Sequence, residues 1–512
     1  MAPKESSLYN NWFVFFIILG VIILTLLPAT HTDYAHHDDY QAFVYSEIDK
    51  EDAILFDRLV RLGRPITAFL LNFQNYLINN QIKRAHIIRF TGMIFIALSA
   101  FLFFQLLNKF KIKKSDSLLL VLGIFLMPPF LICMIAINTF SALLSCFLSI
   151  LSFFFGLEAV STTKQKLPSL KFSVLAFIFF MLSLFTYPAF SMFYWVMLSV
   201  LIANQNITTW RTCQFKIYSL LVFGGISMVL YKIYLSVSIF YFGDFCEETY
   251  CSSNVVNPIQ NLDFFTSMIL FRALNLWNIY PIKEYVLIVL GIIFLGVILE
   301  IFYSLKEKPK EESMANMAKF LFQKFLGLGG MVPLSAAPML LSTYDLDTYR
   351  TLGPLISIIC ILLFWSLGNI TNFVPKQIQV KLKTVFLAAF CIASIHQANQ
   401  NVTLQAFGDT IEYRYIKASL RQNFNALKNF KNIHVAHGGY SALITPQPPI
   451  VDEFFFPTSR HGNARMMVVG AMKELGFSQV LKTWHITVGS HMDFKPSKST
   501  LVIDFSKIEF FY

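Results

Sequence analysis

Long apolar runs recur along most of the chain, and about 20 such residues are what a helix needs to cross the hydrocarbon core of a bilayer. Lipid cannot satisfy backbone N–H and C=O groups, so each run is predicted to be a helix. The runs fall near 12–28, 88–107, 117–136, 139–160, 172–187, 188–203, 217–240, 285–304, 320–341, 352–370 and 384–400. The expected fold class is therefore an all-α polytopic membrane protein with about eleven transmembrane helices. Composition agrees: 14% of the 512 residues are charged and 55% hydrophobic, where a soluble domain carries about 25% charge. The first run lacks the basic leading segment of a signal peptide. It leads through Leu27-Pro28-Ala29-Thr30 into residues of functional character, so it is read as a retained span.

The net charge of +11 does not point to nucleic acid, because the basic residues sit in short loops beside apolar runs. Lys109, Lys111, Lys113 and Lys114 form one such loop. Lys164, Lys166 and Lys171 form a second, Arg211 and Lys216 a third, Lys306, Lys308, Lys310 and Lys319 a fourth, and Lys376, Lys381 and Lys383 a fifth. The intervening short loops carry almost none. Positive loops stay cytoplasmic, which predicts an inside N-terminus and an outside C-terminus. The same alternation favours two short helices turning at Tyr187-Pro188 over one long tilted helix at 172–203. The spans themselves read as almost free of charge, apart from Glu158, Glu300 and Lys232.

Three stretches are left on the outer side. The loop 29–87 opens with acidic residues and histidines and continues as interfacial amphipathic helix around Asp52–Arg64. The segment 241–284 holds Cys246 and Cys251, whose Cys-x4-Cys spacing on an oxidising face predicts a local disulfide. The other five cysteines lie in or beside apolar runs and read as small buried residues. The tail 401–512 is more polar. Strand-like pieces (Asn432–Ala436, Leu501–Phe505) and a helix-like piece (Met466–Leu475) predict a small α+β extracytoplasmic domain, so the chain divides at 400/401.

The densest cluster of chemistry-bearing residues is His31-Thr-Asp33-Tyr-Ala-His36-His37-Asp38-Asp39-Tyr40. Adjacent carboxylates at a membrane surface are costly to keep ionised together. One of them in a cleft can serve as a general base or bind a cation; a solvated acidic loop is the plain alternative. A divalent metal on His31, His36, His37, Asp38 and Asp39 is the lesser reading, since no second cluster completes a ligand set. Arg58, Arg61 and Arg64 follow, the last in Leu62-Gly63-Arg64-Pro65. A guanidinium fork suits phosphate, with general attraction to anionic lipid as the alternative. Arg350 follows Asp345 and Asp347, so it either pairs with them or holds an anionic ligand.

Asp38-Asp39-Tyr40 after a first span, Leu62-Gly63-Arg64-Pro65 some twenty residues on, Thr186-Tyr187-Pro188 at an outer turn, and Arg350 before Leu352-Gly353-Pro354 together resemble the bacterial O-antigen glucosyltransferases of the Gtr type, of the GT-C class. The resemblance covers roughly 1–400 in layout and rests on short motifs. It implies a transmembrane GT-C-like domain at 1–400. The implied reaction moves a hexose, typically glucose, from undecaprenyl phosphate to a lipid-linked, O-antigen-like polysaccharide on the periplasmic face of the bacterial inner membrane. Asp38 or Asp39 would be the base, and Arg61, Arg64 and Arg350 would hold the donor phosphate. His37, Tyr40, Tyr187, Asp345 and Asp347 would contact substrate, and no cofactor is expected. Rival readings are a transporter or flippase for lipid-linked sugars, a polymerase or ligase, and a scaffold acting through its tail.

Overall fold

The structure, a computed structural model, describes residues 5–32, 34–36, 39–40, 56–57, 59–78, 81–161, 169–242, 258–278, 282–306, 312–340, 348–425, 430–437, 462–477, 485–490 and 499–505. It is a helical bundle with a small sheet at one end. Six helices among the described residues are long and apolar enough to cross a membrane: Ile82–Lys109, Ile137–Ser161, Ile207–Ser238, Lys283–Lys306, Gly353–Thr371 and Gln377–Gln422. A bent pair, Lys114–Phe125 with Pro128–Ile135, makes seven if it counts as one span.

The expected eleven spans are therefore corrected: among the described residues six helices, or seven with the bent pair, have the length and composition of a span. The runs at 12–28, 172–187 and 188–203 become the shorter apolar helices Trp12–Leu26, Leu170–Thr186 and Pro188–Ala203. At 1.5 Å per residue these apolar stretches reach about 25 Å or less, below the roughly 30 Å of hydrocarbon, although the first belongs to a longer helix, Glu5–Leu26. The run at 320–341 falls mostly in Met314–Ser335, which carries Lys319 and Lys324, and continues in the short helix Ala337–Leu340. The expected turn at Tyr187 is present: its backbone is extended (φ −150°, ψ 96°) between Leu170–Thr186 and Pro188–Ser191.

Apolar matching alone does not align helices in lipid, so small polar residues do much of that work. The helix Phe140–Ser161 packs along Leu170–Thr186 through buried serines. The Ser183 hydroxyl donates to the Ser145 carbonyl (2.7 Å), Ser152 to the Ala176 carbonyl (2.8 Å) and Ser145 to the Tyr187 carbonyl (2.9 Å). The bend of 54° in the broken pair coincides with Pro128-Pro129, whose rings cannot continue a helical hydrogen-bond ladder.

No break marks the boundary expected at 400/401. The helix Lys376–Gln422 runs through it for 47 residues, roughly 70 Å, and so carries the bundle into the C-terminal part. There β1 (Asn432–His437), β2 (His485–Ser490) and β3 (Thr500–Asp504) form a parallel sheet in the order β2-β1-β3. The helix Gly462–Glu474 lies between β1 and β2 in sequence, the kind of crossover a parallel pair requires. Ile433, Val435, Leu501 and Ile503 share one core with Met467 and Met472 of that helix. The core continues into Tyr413, Ile416 and Leu420 of the long helix and Ala35 and Tyr40 of the acidic segment, so the sheet is seated on the bundle.

Two cations inside the helices escaped the expectation of nearly charge-free spans. Arg89 is buried, and so is Lys324, whose ammonium donates to Glu300 (2.6 Å) and to the Gln205 carbonyl (2.9 Å). Removing one partner of a buried pair strands the other charge. Lys324→Ala is expected to cost about 3–5 kcal/mol, read as thermal unfolding in detergent. The double change Lys324→Met with Glu300→Leu should recover most of that loss.

Candidate functional site

The bend at Pro128 leaves a second discontinuity at the far end of Pro128–Ile135. Ala136 is extended (φ −82°, ψ 114°), and the chain restarts as a 3-10 turn, Ile137–Thr139, leading into Phe140–Ser161. A helix start exposes N–H groups and a helix end exposes carbonyls, and both need partners when buried. Asp39 and Arg89 supply them. The Asp39 carboxylate accepts from the backbone N–H of Ile137 (3.0 Å), Asn138 (2.9 Å) and His36 (3.0 Å). The Arg89 guanidinium donates to the carbonyls of Ile135 (3.1 Å) and Tyr34 (2.8 Å), and more distantly to that of Ala29 (3.4 Å). Its Cζ also lies 3.6 Å from the centroid of the Tyr34 ring.

Both charges are essentially inaccessible, Asp39 at 0% and Arg89 at 1% exposure. Burial pushes the Asp39 carboxyl up to about 6; the three N–H donors and the Arg89 charge pull the other way without offsetting it. Burial also pushes the Tyr34 and Tyr40 phenols upward.

The rest of the acidic segment docks on the long helix Lys376–Gln422. The His36 ring Nδ1 lies 3.2 Å from Asp409, which also accepts from Gln405 (3.0 Å). Tyr40 packs its ring against Tyr413, with centroids 5.9 Å apart, and its hydroxyl accepts from the Ala35 N–H (3.4 Å). Gln405, Asp409, Glu412 and Tyr413, all buried, recur at helical spacing along one stripe.

The Gly63-Arg64-Pro65 step is built as a tight turn ahead of the helix Pro65–Ile78. Gly63 has φ +76°, and a Cβ there would lie 2.5 Å from the Tyr231 hydroxyl, so only glycine fits without strain. That hydroxyl donates to the Gly63 carbonyl (3.3 Å). The turn sets Arg64 with its Cζ 4.7 Å from the Tyr187 ring centroid. The Arg64 Nε is buried with no hydrogen-bond partner among the described residues. Thr67, one turn on, donates to the Thr186 carbonyl and ties this helix to the Tyr187 turn.

Arg350 sits in the 3-10 turn Tyr349–Thr351. Its carbonyl faces the Cys133 thiol at 3.9 Å, and the buried Tyr349 hydroxyl lies 3.2 Å from the Arg272 and Asn275 carbonyls. The helix Pro128–Ile135 therefore links three motifs. Phe130 meets Phe190 of the Tyr187 turn edge-on at 5.6 Å, Cys133 meets Arg350, and the residues just beyond meet Asp39.

The expected site residues are thus partly assembled. Arg64 and Tyr187 touch, Tyr40 lies against the long helix, and among the described residues Asp39 hydrogen-bonds to backbone N–H groups rather than to an arginine. Arg61 has a buried Nε on the same turn. His37, Asp38, Asp345 and Asp347, and the cysteines expected to pair, Cys246 and Cys251, lie outside the described residues. No three His, Cys, Asp or Glu side chains converge as metal ligands among the described residues. Arg89 and Asp409 were missed by sequence reading. The available signals were an arginine at the start of an apolar run, and acids spaced along one helical face.

The chain matches no family model, and no curated protein matches it.

Because the folded-state value for Asp39 lies above its ordinary 3.8, its contribution to stability is present in full below that value. It is lost as the pH rises through about 6. Thermal unfolding in detergent should therefore show the wild-type chain gaining stability relative to Asp39→Asn as pH falls from 6 to 4. Parallel curves for the two proteins would contradict the buried-carboxyl assignment.

Proposed function

We propose that the chain is a membrane glycosyltransferase of the GT-C type, moving a hexose from a polyprenyl phosphate to a lipid-linked saccharide. The observation that carries this reading is Arg64: a guanidinium held by a glycine turn against Tyr187, with a buried Nε lacking an acceptor among the described residues. An unsatisfied buried cationic donor is costly, and a phosphate oxygen is a suitable acceptor for it. The apolar helices support a donor whose tail stays in the bilayer. The acidic segment and the C-terminal part share one core, and in this reading they face the periplasmic side of the bacterial inner membrane.

The chemistry is a single displacement. The acceptor hydroxyl attacks the anomeric carbon, its proton passes to a carboxylate, and the bond from that carbon to the phosphate oxygen breaks with its electron pair leaving on phosphate. The configuration inverts. Phosphate is a good leaving group, so no carboxylate pair of the glycosidase kind is needed. One base and fixed cations suffice. Asp39 has both oxygens engaged by three backbone N–H groups, so in this mechanism it positions the segment and Asp38 is the base. Arg64 and Arg350 take up the charge that grows on the leaving phosphate, and Arg61, His37, Tyr40, Tyr187, Asp345 and Asp347 remain candidate substrate contacts.

Buried Arg89 and Lys324 favour a second reading, a transporter of lipid-linked saccharides, since charges within spans often mark transport pathways. Each is already engaged by protein acceptors, however: carbonyls for Arg89, and Glu300 with the Gln205 carbonyl for Lys324. That satisfied geometry favours a structural role.

Two outcomes test the enzyme. With labelled polyprenyl-phosphate hexose in membranes, Asp38→Asn should lower transfer by about 10²–10⁴-fold at normal expression. Full transfer by both Asp38→Asn and Asp39→Asn would remove the base assignment. Arg64→Gln and Arg350→Ala should each raise the apparent donor KM about tenfold or more; an unchanged donor KM in both would end the phosphate role.

A further inference from the structure

The C-terminal end of the long helix carries a basic cleft that plays no part in the transfer mechanism above. A cavity of about 290 Å³ is lined by Lys83, Tyr413, Arg414, Lys417, Ala418, Arg421 and Glu474. Its volume far exceeds the space one water occupies. Arg414, Lys417 and Arg421 stand at i, i+3 and i+7, one stripe of the helix Lys376–Gln422. Lys83 joins them from the 3-10 turn Ile82–Arg84 at the foot of another helix.

Like charges at this spacing repel, and one acid faces them. Glu474 is already engaged: it accepts from Lys417 (2.5 Å) and from the Ile82 N–H (2.9 Å). The Lys83, Arg414 and Arg421 side chains form no hydrogen bond or ion pair with a described residue. Glu474 thus pins the turn that carries Lys83 to the helix that carries the arginines, and leaves a surplus of positive charge from two elements around one hollow. Two arginine forks and a lysine lining one cavity suit an oxyanion such as phosphate, which can accept from several donors at once. Tyr413 is both a wall of this cavity and the ring partner of Tyr40, so a ligand there would sit beside the acidic segment.

We infer that this cleft is a phosphate-binding subsite, separate from the Arg64 position, taking either a lipid headgroup phosphate or a soluble phosphate. The proposal stands apart from the transfer reaction, because binding is measured with no sugar donor present. Inorganic pyrophosphate is titrated calorimetrically into the full chain in detergent. In parallel, thermal stability is compared in nanodiscs of phosphatidylcholine with and without phosphatidylglycerol. Arg414→Gln with Arg421→Gln, and separately Lys83→Gln on the other element, should weaken pyrophosphate binding about tenfold or more. Lys319→Gln, an exposed lysine on Met314–Ser335, should leave it unchanged. Stabilisation by phosphatidylglycerol that the double variant loses, with no pyrophosphate binding, would assign the phosphate to a lipid headgroup. The inference is overturned if neither probe separates wild type from the double variant, or if Lys319→Gln loses as much binding, since diffuse surface charge would then explain it.

Discussion

Asp39 and Arg89 bind opposite polarities of one break in the chain, and the arrangement of this end of the bundle follows from that. Where Pro128–Ile135 ends, a carbonyl is left over, and where the next helix begins, N–H groups are left over. The guanidinium takes the carbonyl and the carboxylate takes the N–H groups. Neither charge could be buried alone without a large desolvation cost. Together they satisfy backbone groups that lipid could not, and each lowers the cost of the other. Because Arg89 also grips the Tyr34 and Ala29 carbonyls, the same interaction fixes the path by which the chain leaves its first helix.

From that anchor the neighbouring motifs are positioned by short-range contacts. His36 and Tyr40, on either side of Asp39, reach the long helix at Asp409 and Tyr413. The broken helix that ends at the Asp39 clamp touches the Tyr187 turn through Phe130 and the Arg350 turn through Cys133. The Tyr187 turn is itself held by the buried Ser145 hydroxyl, and Arg64 rests against its ring. Serine hydroxyls serve here because helices in lipid gain little from burying apolar faces against each other.

Much of the fold was legible in the sequence, and the misses have physical causes. Apolar runs located the helices, including the turn at Tyr187-Pro188, because proline disfavours continuation of a helix. The number of spans was overstated, since an apolar run shows that a segment avoids water but not whether it is long enough to cross. Apolar helical stretches of 15 to 17 residues look much the same in sequence as spans. The boundary at 401 reflected a change in polarity, whereas the helix runs on through it with its polar residues Gln405, Asp409 and Glu412 buried. Of the sheet, β1, β3 and the intervening helix were anticipated; β2, His485–Ser490, was not.

The sequence by itself determined that this chain is built of apolar helices and that its acids and arginines gather in a few short motifs. Both follow from local chemistry: hydropathy and backbone satisfaction act over a single run of residues. Only the tertiary structure decided what those charges touch. Asp39 turned out to face backbone N–H groups, Arg64 an aromatic ring, and Arg89 three carbonyls from distant segments. A buried charge finds its partner through the packing of helices far apart in the chain, and no spacing within one motif encodes that.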